Sequence, residues 1–64
     1  MPNVDAELSS ITTALAELTR RITALAERHA RGEDDPVGQG LFEVERTLGE
    51  ALRKLERFQR GRRA

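Results

Sequence analysis

The sequence has no cysteine, tryptophan or tyrosine, and its only aromatic residues are Phe42 and Phe58. Without cysteine there are no disulfide staples, no Cys-ligated zinc and no thiol nucleophile, a usage that fits a reducing compartment. With so few aromatics, any core has to be aliphatic. A net charge is lacking too, because eleven Lys and Arg balance eleven Asp and Glu. The opening Met-Pro-Asn-Val-Asp has neither the basic start nor the apolar stretch of a signal peptide, and no segment reads as a membrane span. The expectation is a soluble, cytoplasmic protein. At 64 residues it is one small unit, too short for most enzyme architectures and dependent on very regular helix packing or on a partner for stability.

What the sequence does contain is a repeating apolar pattern. Val4, Leu8, Ile11, Leu15, Leu18, Ile22 and Leu25 alternate steps of four and three residues. Leu8, Leu15 and Ile22 take heptad position a, Val4, Ile11, Leu18 and Leu25 take d, and His29 falls on the next a. Asn3 is placed to cap the helix, Asp5 adds negative charge to its first turn, and Arg28, His29 and Arg31 complement the dipole at its end, with Gly32 beyond. This predicts a helix from about residue 4 to 30.

The segment Gly32-Glu33-Asp34-Asp35-Pro36 reads as a tight turn over 31–35, with Asp35 capping and Pro36 in the first helical position. A second stripe follows through Val37, Leu41, Val44, Leu48, Ala51, Leu55 and Phe58, widened by Leu52. It predicts a helix over about 36–60, although Gly38, Gly40 and Gly49 each weaken it and leave open a later start at Leu41. Residues 60–64 have no apolar anchor and form a basic tail expected to fray.

The fold class is therefore all-α, an antiparallel two-helix hairpin occupying residues 1–64 as a single unit. In a lone hairpin each stripe faces one neighbour and its outer half stays in water, so the hairpin is expected to pair as a four-helix-bundle or coiled-coil homodimer. The expected oligomer core is Leu8, Ile11, Leu15, Leu18, Ile22 and Leu25 from the first helix, and Leu41, Val44, Leu48, Leu52, Leu55 and Phe58 from the second. In length and layout the chain resembles the Rop-like class of RNA-binding helical-hairpin dimers. The resemblance is architectural, carries no aligned motif and transfers no residue role.

Charge is distributed in blocks: −3 over residues 1–19, +3 over 20–31, −5 over 32–50 and +5 over 51–64. An antiparallel hairpin lays each block beside its opposite, which favours that register. The last block, with Arg53, Lys54, Arg57, Arg60, Arg62 and Arg63, is also a candidate nucleic-acid contact, a weak signal because no aromatics are interleaved with the basic residues. On a flank of the second stripe, Phe42, Gly49 and Leu52 make a candidate groove for a partner helix, with Gly49 removing bulk between two large residues.

Chemistry is poorly provided for. His29 is the only histidine and has Glu33, Asp34 and Asp35 as acidic neighbours, a set better read as a helix-end residue than as a metal site. Ser9, Ser10, Thr12, Thr13, Thr19 and Thr23 lack a histidine to activate them. Gly38-Gln39-Gly40 is too short for a phosphate loop and lacks its Lys. No catalytic residues, cofactor, metal, small-molecule ligand or membrane are expected. The leading expectation is a non-enzymatic oligomerisation or protein-interaction module; the alternatives are a nucleic-acid-binding hairpin dimer and a small subunit completing a partner's bundle.

Overall fold

The computed structural model describes residues 3–29 and 35–63, without the side chain of Arg63. Two helices make up the fold, α1 over Val4–His29 and α2 over Pro36–Arg63, packed against each other as a hairpin. The molecule measures 46 × 19 × 11 Å. Its shortest dimension is about one helix diameter, so the hairpin is a single layer with nothing above or below it.

Both helix starts follow the capping signals of the sequence. Asn3 Oδ1 accepts from the Ala6 amide at 2.8 Å, and the Asn3 carbonyl accepts from Glu7 at 3.1 Å. Asp35 does the same for α2: its Oδ1 accepts from Val37 at 3.0 Å and its carbonyl from Gln39 at 2.9 Å. In each cap the side-chain oxygen serves an amide that the first turn leaves without an intrahelical partner, and the carbonyl accepts the first bond of the helix ladder. Pro36 therefore opens α2, and the glycines that follow are absorbed into the helix. The expected C-terminal stop at Gly32 lies outside the described residues.

At its far end α2 keeps helical geometry through Gly61 to Arg63, where the sequence had no apolar anchor. An interhelix contact occurs here instead: Arg62 Nε donates to Asp5 Oδ1 at 2.7 Å, joining the basic end of α2 to the acidic start of α1. This is the block complementarity of the sequence realised at one end of the hairpin. Neither helix is long and apolar enough to cross a membrane among the described residues.

Candidate interaction face

Three side-chain contacts between α1 and α2 set the level of the hairpin. Thr12 Oγ1 donates to Gln59 Oε1 at 2.9 Å, Thr23 Oγ1 donates to the Glu45 carboxylate, and Arg62 meets Asp5. Ile11 is thereby level with Phe58, Leu18 with Ala51 and Leu25 with Val44. Written in heptad terms, α2 has Leu41, Leu48 and Leu55 at a and Val37, Val44, Ala51 and Phe58 at d.

The seam between the helices is not formed by a and d. On α1 the half-buried positions include Leu8, Thr12, Leu15, Thr19 and Ile22, leading to fully buried Ala26; on α2 they include Leu41, Glu45, Leu48, Leu52, Leu55 and Gln59, with Gly38 buried. These are rows a and e. The periodicity of apolar residues does not mark the e row, because it holds Thr12, Thr19, Glu45 and Gln59 as well as Leu52. The recurrence of Thr at 12 and 19, one heptad apart, is the signal in the sequence that does.

The polar members of the seam are satisfied locally. Thr19 Oγ1 donates to the Leu15 carbonyl at 2.7 Å, and Thr23 Oγ1 lies 3.1 Å from the Thr19 carbonyl as well as against Glu45. These bonds to carbonyls four residues back let a hydroxyl sit against a neighbouring helix without an unpaired donor. Among the described residues no buried side-chain nitrogen or oxygen lacks a partner.

Row d is left outside the seam except at Leu25, which is half-buried. Val4 is 48% exposed, Ile11 54%, Leu18 50%, Val37 57%, Val44 45% and Phe58 56%. Of the twelve expected core residues, Ile11, Leu18, Val44 and Phe58 are exposed in the hairpin and the other eight are half-buried. Because row a is open on its d side, the rows d, a, a and d form one apolar surface running the length of the molecule. Two hollows interrupt it. One, of about 610 Å³, is bounded by Leu18, Ile22, Leu25 and Leu48 with Arg21 and Arg28 at its edge; the other, of about 330 Å³, lies over Gly40, Val44, Thr47 and Leu48 beside Glu43.

The candidate groove on the opposite flank is also a concavity. It measures about 640 Å³ and is lined by Phe42 and Gly49 together with Thr19, Thr23, Glu45, Arg46 and Arg53; Leu52 is not part of its lining. A Cβ on Gly49 would meet only the Arg53 guanidinium, at 3.5 Å, so no helix backbone approaches here and the hollow is polar-rimmed.

Arg53, Lys54, Arg57 and Arg60 are exposed on α2, and Arg62 is engaged with Asp5. Nothing is described for the side chain of Arg63. His29 is exposed at the end of α1, while Glu33 and Asp34 lie outside the described residues. Among the described residues no three His, Asp or Glu side chains gather to hold a metal ion.

The fold and this face define a class, a helical hairpin with one apolar side unpartnered. Comparison with protein-family models, curated proteins and solved structures returns no match to the chain. Any function has therefore to be argued from these residues.

Proposed function

We infer that the protein is a small non-enzymatic helical module that associates with a second copy of itself through the face formed by rows a and d. The observation that carries this reading is that no large side chain among the described residues is fully buried, although the apolar rows are continuous. A single layer of two helices has no interior. Surface area supports the same reading: the chain exposes 5109 Å², about 1,000 Å² more than the roughly 4,100 Å² that its mass calls for in a compact monomer. A standard interface covers about 800 Å² per partner, so a dimer accounts for an excess of this size. Covering both faces brings Ile11, Leu18, Val44 and Phe58 into a common core without disturbing the Thr–Gln and Thr–Glu contacts on the other side.

Light scattering or sedimentation at micromolar concentration is the test. A dimeric mass is expected; a stable, fully helical monomer overturns the reading.

A second reading is contact with nucleic acid through the exposed Arg53, Lys54, Arg57 and Arg60. In a dimer Arg53 and Arg60 of both copies, on the side away from the apolar face, would act together, with affinity falling steeply as salt rises. Deleting residues 60–64 should then weaken binding and flatten its salt dependence. No binding to duplex DNA or RNA at low salt overturns it.

A further inference from the structure

We propose that the two copies associate with their turns at the same end, α1 of each lying antiparallel along α2 of the other. This rests on the self-association reading above and specifies how the faces meet. Two identical layers packed face to face admit two different two-fold axes. An axis parallel to the helices keeps both turns at one end and sets α1 against the partner's α2. An axis across the helices puts the turns at opposite ends and sets α1 against α1 and α2 against α2.

The deciding residues are those just outside row d. On α1, position g holds Glu7, Ala14, Arg21 and Arg28; on α2 it holds Gly40, Thr47, Lys54 and Gly61, all of them exposed. An axis parallel to the helices leaves heights unchanged, so the level fixed within the hairpin by Thr12–Gln59 and Asp5–Arg62 also fixes the level between copies. Arg28 then lies across the partner's Gly40, Arg21 across the partner's Thr47, Ala14 under the partner's Lys54 and Glu7 across the partner's Gly61. In each of these pairs one side chain is short where the other is long.

The charged ends find opposite charges one row further out. Arg28 reaches the partner's Glu43, Arg21 the partner's Glu50, Glu17 the partner's Lys54, and Glu7, one turn along, the partner's Arg57. Glu17 is also held by Arg20 of its own helix, at 2.5 Å. Each charge of row g in the described residues thus has an opposite charge in row c across the interface.

The opposite-end arrangement does less well at its best level. It matches Glu7 with the partner's Arg28, Arg21 with the partner's Glu17, and Lys54 with the partner's Glu50. It also brings Glu43 opposite the partner's Arg57, so charge alone does not separate the two arrangements. What does is that it sets Gly40 against the partner's Gly61, two residues with no side chain to fill the space between the α2 helices, where the same-end arrangement sets each glycine against a long side chain. The hollow over Gly40, Val44 and Thr47 lies level with Leu25, the residue that the same-end arrangement brings over it.

Because the chain has no cysteine, an introduced pair is an unambiguous reporter. Arg21→Cys combined with Thr47→Cys places thiols together across copies in the same-end dimer; Ala14→Cys combined with Arg21→Cys does so in the opposite-end dimer. All three positions are exposed, and circular dichroism checks that the variants remain helical. Mild oxidation of the full chain, read as covalent dimer on a denaturing gel, should link most of the first variant and little of the second. Any other pattern overturns the same-end arrangement, and if the uncrosslinked protein is dimeric by light scattering, the self-association reading survives that failure. A monomeric mass overturns both.

Discussion

The two long faces of the hairpin are built from the same heptads and behave oppositely. On one, Thr12, Thr19 and Thr23 meet Gln59, Glu45 and backbone carbonyls, and each hydroxyl has an acceptor inside the chain. On the other, Val4, Ile11, Leu18, Val37, Val44 and Phe58 have roughly half their surface in water. Hydrogen bonds are local and directional, so two helices can satisfy them. Burial of an apolar stripe requires a neighbour on every side, and two helices cannot provide it. The polar face is complete within the hairpin and the apolar face is not.

The largest test of this contrast is Leu18→Asp. A lone hairpin should tolerate the change within about 0.5 kcal/mol, since the site is half-exposed and surface substitutions have small effects. If the face is covered, the charge is buried unpaired at a cost of several kcal/mol. The expected result is loss of the dimeric mass together with a large fall in helicity at micromolar concentration; unchanged mass and helicity would show that the face stays open.

Phe58→Ala comes next. It should lower stability by about 3 kcal/mol if the ring is packed in an assembly and hardly at all if it is not. In the parent protein the same coupling makes the thermal midpoint rise with protein concentration, which a dilution series read by circular dichroism measures directly.

Changes on the polar face should affect stability and leave oligomeric mass alone. Thr23→Val removes the hydroxyl that Glu45 accepts from and should cost about 1 kcal/mol in denaturant unfolding, because the half-buried carboxylate loses its partner. Gly49→Ala should act in the other direction. A Cβ there meets only the flexible end of Arg53, so the gain in helix propensity, about 0.5–1 kcal/mol, is not offset by a clash. Destabilisation by Gly49→Ala would show that something else packs on that hollow.

Smallest of all should be Arg62→Ala. The ion pair with Asp5 is 42% and 53% exposed at its two side chains, so its loss should cost about 0–1 kcal/mol and less in high salt. A chevron or equilibrium melt at two ionic strengths would resolve it, and a larger, salt-independent loss would mean that Arg62 also packs.

Much of the hairpin was legible in the residues themselves. Asn3 and Asp35 cap where capping residues are expected, Pro36 opens α2, and the alternating steps of four and three select helix over strand. The e row was not legible in the same way. Thr12, Glu45 and Gln59 are polar, and a search for apolar periodicity passes over them; they join the seam because side chains at those heights meet a neighbour that only the folded chain supplies. The groove at Phe42 and Gly49 was half legible. Glycine does open a space there, but Leu52 turns into the seam, and Arg46, Arg53 and Glu45 rim the hollow.

By itself the sequence determined the two helices, their starts and the existence of more apolar stripe than one pairing can cover, since each of these depends on residues near one another along the chain. Only the tertiary structure decided which part of the stripe the hairpin uses for itself. In contact, the helices turn rows a and e inward and leave row d outward except at Leu25, and that rotation is a property of two helices together that neither carries alone.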